Sequence, residues 1–161
     1  MGNQEYLEFV RNGFGGKALI KENTTDTLVT YEEVFKWSWI ATKLKIFSFV
    51  NFVETIELDT IKEYSSKCLK RAIKEKHGLP RGFQNGVLSY NVLVCNYATP
   101  EAIAFVTKQP NKHYSAFEVP IIFDVSNSQL HYYQGDIVWG MVYNSFIKEY
   151  IYEHFNPVKL T

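Results

Sequence analysis

Asp124 and His131 have residue types and a spacing suited to proton-transfer chemistry. Asp124 interrupts an apolar run at 121–125, and the chain turns at 126–128 before it reaches His131. A two-residue loop would place Asp124 opposite His131, where a carboxylate can orient an imidazole for general acid–base catalysis. A three-residue loop would instead pair Asp124 with Leu130 and separate the two groups. We prefer the interpretation that Asp124 binds turn amides and His131 is a half-exposed strand residue, and we keep the catalytic pair as the alternative.

A helical pattern at 59–77 carries the strongest charge asymmetry of the chain. Residues 59–81 contain seven basic and three acidic residues, a net charge of +4, whereas the whole chain has a net charge of zero. Helical spacing places four of the basic residues on one face, namely Lys67, Lys70, Arg71 and Lys74. Such a face can bind a phosphate, another anion or an acidic partner. We prefer the plainer interpretation, which is a solvated helix face with cations near its C-terminus.

The loop at 79–86 links this helix to an apolar strand. It contains a proline and two glycines, which favour a defined turn. Arg81 and Gln84 in this loop could reach a ligand at the edge of the sheet. We interpret the loop as a tight connection and retain Arg81 and Gln84 as candidate ligand-binding residues.

The other reactive residue types form no recognisable motif. The turn at 13–17 lacks the first glycine and the Ser or Thr of a phosphate-binding loop. The four histidines and two cysteines do not have the paired spacing of metal ligands. Cys68 and Cys95 lie in apolar patterns, so we interpret both as buried hydrophobic residues. We therefore expect neither a metal site nor a cofactor.

The last predicted helix, at 138–155, has apolar residues around most of its circumference. One side of a helix is enough to cover a sheet, so the surplus predicts contact with another chain. The residues of this helix whose types commonly anchor interfaces are Trp139, Tyr143, Tyr150 and Tyr152. We expect a homodimer or a surface for a protein partner.

The order of predicted elements is typical of an α+β fold in one domain, residues 1–161. We expect a single mixed or mostly antiparallel sheet with helices packed on a face. An N-terminal helix precedes a β-meander at about 17–56, and β-α-β-β-α follows the helix at 59–77 and ends at 155. The segment 87–95, which lies in an uncharged stretch, predicts an interior strand covered on both faces.

The segment 31–42 is ambiguous. Thr30 and Glu33 match a capping box, which favours a helix. Phe35, Trp37 and Trp39 alternate with polar residues, which favours a strand. We predict a strand.

Composition limits the class of protein. Of the 161 residues 46% are hydrophobic and 21% are charged, which excludes a disordered chain and a uniformly basic nucleic-acid-coating protein. Two cysteines cannot form a disulfide framework, and no secretory signal pattern or apolar run of about 18 residues is present. We predict a cytoplasmic protein without a membrane partner.

These observations favour a cytoplasmic domain that binds a protein partner or a small ligand and does not catalyse a reaction. One alternative is a hydrolase or phosphoryl-acting enzyme that uses Asp124 and His131. A second alternative, which we do not favour, is a nucleic-acid accessory protein that binds through the basic helix at 62–76.

Overall fold

The computed structural model describes residues 1–39, 41–76, 78 and 85–158. The helices are α1 (Asn3–Phe14), α2 (Leu58–Glu75), α3 (Pro100–Val106) and α4 (Asn144–Phe155). The strands are β1 (Leu19–Asn23), β2 (Thr27–Phe35), β3 (Lys43–Phe52), β4 (Thr55–Ile56), β5 (Asn85–Cys95), β6 (Tyr97–Ala98), β7 (Ala116–Asp124) and β8 (Gln129–His131). A first 3-10 segment (Trp37–Trp39) precedes β3, and a second 3-10 segment (Val138–Tyr143) precedes α4.

Six strands form a mixed sheet in the order β1-β2-β3-β5-β7-β8. The three central strands β3, β5 and β7 are parallel, and the outer pairs are antiparallel. Parallel neighbours need crossover connections, which α2 and α3 provide. A mixed sheet with helices packed on it confirms the predicted α+β class. The strands β4 and β6 form a separate parallel pair.

Helices cover both faces of the sheet. One face packs with α1 and α4 in a cluster that includes Tyr6, Tyr90 and Phe155. The opposite face packs with α2 and α3 in two smaller clusters. All eleven residues of β5 are buried, which confirms the predicted interior strand.

The segment predicted as a strand at 31–42 is divided. Strand β2 ends at Phe35, and the chain then turns through the first 3-10 segment. Trp39 is 3% exposed because its ring packs edge-on against Tyr143 and Phe146, whereas Trp37 is 81% exposed. The alternating aromatic residues Phe35, Trp37 and Trp39 therefore do not form one half-buried strand face, because only Trp39 is buried. The helix start that Thr30 and Glu33 suggest is also wrong, because both residues lie in β2.

The helix predicted at 138–155 is interrupted in its first half. Residues Val138–Tyr143 form the second 3-10 segment, with Gly140 outside helical geometry at φ −131°. A Cβ atom at Gly140 would lie 2.4 Å from Cε1 of Phe117, so this segment approaches the core closely. The regular helix starts only at Asn144.

None of the helices that the structure describes has the length and apolarity needed to cross a membrane.

Candidate functional site

A cleft of about 300 Å³ opens between helix α2 and strands β1, β2 and β3. It lies along the side of α2, which packs mainly over β5 and β7. Val29 and Phe49, which are 1% and 3% exposed, form the apolar floor. Tyr64 and Cys68 of α2 form one wall. The volume is at the lower end of the range of small-molecule sites, about 300–1,000 Å³.

Polar groups surround this apolar floor. Lys67 and Arg71 of α2 line the cleft together with Glu22 of β1. On the other side the Thr27 hydroxyl donates a hydrogen bond to Oδ1 of Asn51, with an oxygen–oxygen distance of 2.6 Å. The cleft therefore combines an apolar floor with a rim of hydrogen-bonding and charged groups.

The Arg71 guanidinium is fixed in place at this rim. Its Nε donates to Oε1 of Glu75 at 2.7 Å, and its Nη1 donates to Oε2 of Glu22 at 3.0 Å. The guanidinium carbon lies 5.6 Å from the centre of the Phe49 ring. An arginine has five N–H donors, so these two bonds leave others for a ligand. The hydrogen bond to Glu75 is the main cause that raises the pKa of Arg71, so the group stays charged.

Lys67 adds a second cation to the cleft. It is exposed and forms no ion pair within the part of the chain that the structure describes. The Glu75 carboxylate, which holds Arg71, also accepts a hydrogen bond from Lys21. The Lys21, Arg71 and Lys67 cations thus exceed the Glu22 and Glu75 carboxylates by one charge at this cleft.

The structure divides the basic face that the sequence predicts. Lys67 and Arg71 line the cleft, whereas Lys70 lies on a neighbouring open groove and Lys74 is exposed in the last turn of α2. The candidates Arg81 and Gln84 lie outside the described residues.

Cys68 is a buried thiol in the wall of the cleft. It is 6% exposed, and both cysteines are free and buried, as predicted from their apolar surroundings. Burial raises the pKa of the Cys68 thiol to about 12. A thiol that stays protonated is a poor nucleophile and a poor metal ligand.

The hairpin that contains Asp124 and His131 has neither of the two predicted registers. Asp124 pairs with Gln129 and Ile122 pairs with His131, across a four-residue turn. The turn is longer than predicted because the Asp124 carboxylate accepts hydrogen bonds from both the backbone N–H and the side-chain amide of Asn127, at 3.0 and 2.7 Å. Burial lowers the pKa of His131, and the nearby Asp124 charge opposes this effect. No hydrogen bond joins the two side chains among the described residues.

A different carboxylate and imidazole approach each other at the start of β7. Glu118 is 6% exposed, and its Oε1 lies 3.6 Å from Nε2 of His113. That oxygen also accepts a hydrogen bond from Asn111 at 3.3 Å, and its Oε2 accepts one from Ser65 at 3.5 Å. Asn91 of β5 donates to the Ser65 hydroxyl at 2.8 Å. Both Glu118 oxygens have partners. We therefore interpret this network as a structural contact that attaches α2, through Ser65, to the sheet.

Sequence reasoning missed this network and the floor of the cleft. The available signal for the network was the presence of Ser89, Asn91 and Glu118 in otherwise apolar strands. The contact between Thr27 and Asn51 depends on the register of β2 and β3, which no sequence signal fixes.

The four residues predicted to anchor an interface have different environments. Tyr150 is 5% exposed, stacks on Tyr90 at 4.6 Å and donates a hydrogen bond to Glu32, so it belongs to the core. Trp139 and Tyr143 are half-buried in a groove at the start of β7, and Tyr152 is 37% exposed. Within the predicted helix at 138–155, most of the exposed apolar surface belongs to the second 3-10 segment. Helix α4 has little, because its apolar side packs against α1 and the sheet.

Within the described residues, no group of three or more His, Cys, Asp or Glu side chains is arranged to hold a metal ion.

Comparisons with protein-family models, with curated proteins and with solved structures found no match to this chain.

Proposed function

We propose that this chain is a binding protein whose cleft between α2 and strands β1, β2 and β3 takes a small amphipathic anion. The ligand has an apolar body, such as an aromatic ring or a short alkyl chain, and a carboxylate or phosphate group. The observation that carries the proposal is the Arg71 guanidinium held over the Phe49 ring at the rim of an apolar-floored cleft.

The two parts of the ligand correspond to the two parts of the cleft. An apolar body that packs against this floor leaves water, which favours binding in proportion to the apolar area that the ligand buries. The anionic group lies at the rim, where the unused N–H groups of Arg71 and the ammonium of Lys67 can donate charge-assisted hydrogen bonds. Glu22 and Glu75 offset part of this positive charge. They also hold Arg71 in position before the ligand arrives, so its side chain loses little conformational entropy on binding.

The groups that line the cleft support binding and not a reaction. The Cys68 thiol stays protonated at neutral pH because burial raises its pKa to about 12. The Arg71 and Lys67 cations are suited to holding an anion by charge-assisted hydrogen bonds.

Calorimetric titration with 1-naphthyl phosphate and with neutral 1-naphthol tests the proposal. We expect the phosphate to bind and the naphthol to bind at least about tenfold more weakly, because charge-assisted hydrogen bonds contribute about 1.5–3 kcal/mol. Lys67→Gln and Arg71→Gln should each weaken binding of the phosphate by several-fold to about tenfold. Circular dichroism and urea unfolding of each variant confirm that the fold is retained.

Lys74→Gln is the matched control, because Lys74 lies on the same helix outside the cleft. We expect this variant to bind the phosphate like the wild type. Equal affinities for 1-naphthyl phosphate and 1-naphthol would refute the proposed charge recognition. A loss in Lys74→Gln equal to that in Lys67→Gln would mean that the whole basic helix face, and not the cleft, attracts the anion.

A further inference from the structure

An exposed apolar surface lies at the opposite end of the sheet from the Thr27–Asn51 side of the cleft. We call it the apolar tip and define it by six side chains whose exposures range from 45% to 81%, namely Phe35, Trp37, Tyr114, Val138, Met141 and Val142. The two 3-10 segments contact each other. The loop before β7 and the second 3-10 segment line the same groove of about 460 Å³. Three chain segments therefore meet at the tip.

The apolar tip stands on a packed base. Trp39 lies directly beneath it, with its ring 5.2 Å from Tyr143 and 4.9 Å from Phe146. Tyr143 in turn packs edge-on against Phe117 of β7 at 5.3 Å. The ammonium of Lys36 lies 5.2 Å from the Trp39 ring. The exposed Trp37 ring packs edge-on against Phe35 at 5.2 Å, two residues before Trp39 of this aromatic cluster.

Lysines predominate around the tip, although two acidic residues, Glu33 and Asp136, border its segments and pair with lysines. The segments 34–43, 108–117 and 137–147 contain four lysines and no acidic residue. Lys43 is bound to Glu33 at 3.1 Å. The other three, Lys36, Lys108 and Lys112, are exposed and make no ion pair within the part of the chain that the structure describes.

We propose that the apolar tip inserts into the surface of an anionic lipid bilayer and that Lys36 and Lys112, which lie beside Trp37 and Tyr114, bind the lipid headgroups. Tryptophan and tyrosine favour the boundary between the headgroups and the acyl chains, and aliphatic side chains enter the apolar region. Each lysine near an anionic surface adds an attraction that salt weakens.

The same charges oppose a contact between two copies of the tip. A symmetric dimer would bring Lys36 and Lys112 towards the lysines of the second copy, which repels. The expectation of no membrane partner depended on the lack of a long apolar run, and a peripheral contact needs no such run. This proposal does not depend on the cleft or on its ligand.

Co-sedimentation with vesicles tests the proposal. We expect the protein to sediment with phosphatidylcholine vesicles that contain about one third phosphatidylserine, and much less with phosphatidylcholine alone. The tryptophan emission should shift to shorter wavelength on binding, since Trp37 leaves water. The double variant Trp37→Ser, Met141→Ser should bind vesicles at least about tenfold more weakly than the wild type, because two apolar side chains no longer enter the bilayer. Lys112→Glu should weaken binding and reduce its dependence on salt.

Leu19→Ser is the matched control, because Leu19 is 63% exposed on the edge strand β1, pairs with Tyr31 and belongs to none of the three segments of the tip. It should bind vesicles like the wild type. Failure to bind anionic vesicles, or an equal loss in Leu19→Ser, would overturn the proposal. A dimer in sedimentation velocity without lipid that the double variant abolishes would assign the tip to a second copy. Binding of polyglutamate at least as tight as binding of vesicles, lost in the double variant, would assign it to an acidic protein.

Discussion

Lys45 is a buried cation whose charge is balanced by Glu33 on the neighbouring strand. Lys45 is 4% exposed, and its ammonium donates a hydrogen bond to the Glu33 carboxylate. Glu33 also accepts a hydrogen bond from Tyr31 at 2.6 Å and pairs with Lys43 at 3.1 Å. These contacts, with Lys45 first, hold the pKa of Glu33 at about 2, below its ordinary value of 4.5.

This ion pair predicts an acid-sensitive contribution to stability. The folded pKa of Glu33 is lower than the unfolded one, so its contribution is complete above pH 4.5 and is lost as the pH falls towards 2. Glu33→Gln should lower the free energy of unfolding at pH 7 by about 2 kcal/mol, because it leaves Lys45 buried without a counterion. Urea unfolding at pH 7 and pH 3 should show a smaller difference between variant and wild type at pH 3. Lys43→Gln, which removes an exposed partner, should cost less than about 1 kcal/mol. Equal costs for the two variants would contradict the role given to Lys45.

His131 predicts a second pH effect at the scale of one side chain. Burial lowers its pKa below 6.5, and the charge of Asp124 acts in the opposite direction. Asp124→Asn should therefore lower the pKa of His131 further, which an NMR titration of the ring protons measures. A proton-transfer pair would give a wild-type pKa above 6.5. That result would favour the alternative of a catalytic Asp124 and His131.

At the scale of elements, the sequence predicted those structures whose signals are local. Helix α3 begins as expected, with the Thr99 hydroxyl accepting a hydrogen bond from the N–H of Ala102 at 3.3 Å and Pro100 in the first turn. Helix α2 runs from Leu58 to Glu75, close to the predicted 59–77, because its apolar stripe is long and regular. The strand predicted at 31–42 is confirmed as far as Phe35 and wrong at Trp37–Trp39, because the burial of Trp39 is decided by Tyr143 and Phe146, about one hundred residues later in the chain.

The candidate site was predictable to the same extent. Helical spacing places Lys67 and Arg71 on one face, which needs no knowledge of the rest of the fold. The floor at Phe49 depends on the register of three strands and on the position of α2 over them. The geometry of Asp124 and His131 depends on a loop length that the two hydrogen bonds from Asn127 decide.

The buried polar network predicts how strongly α2 is attached to the sheet. Asn91 is fully buried and donates to both the hydroxyl and the carbonyl oxygen of Ser65, at 2.8 and 3.3 Å. Asn91→Ala leaves buried polar groups without partners, which should lower the free energy of unfolding by about 2–3 kcal/mol in urea unfolding. Asn96→Ala removes an exposed hydrogen bond to Glu54 and should cost less than about 0.5 kcal/mol. Similar costs for the two variants would mean that the network contributes little to this attachment.

At the scale of the whole molecule, the central strands connect every layer of the fold. The helices α1 and α4 pack on one face of β5, and α2 packs on the other. The cleft lies beside α2 near the end of β3 at Asn51, and the apolar tip lies beyond the start of β3 at Lys43. The proposed ligand site and the proposed membrane surface thus lie at opposite ends of β2 and β3 and share no residue.

The shared centre predicts that the expected single domain unfolds as one cooperative unit. Neither set of helices has a core of its own apart from the sheet, so removing either one exposes β5 to water on that face. Native-state hydrogen exchange should show the slowest amides in β3, β5 and β7, all opening with the same free energy as global unfolding. The amides of β1, which has mostly exposed side chains and lies at an edge, should exchange faster and serve as the internal reference. If β1, β2 and β3 opened together at a lower free energy than β5 and β7, the meander would be an independent unit and the single-domain prediction would be wrong.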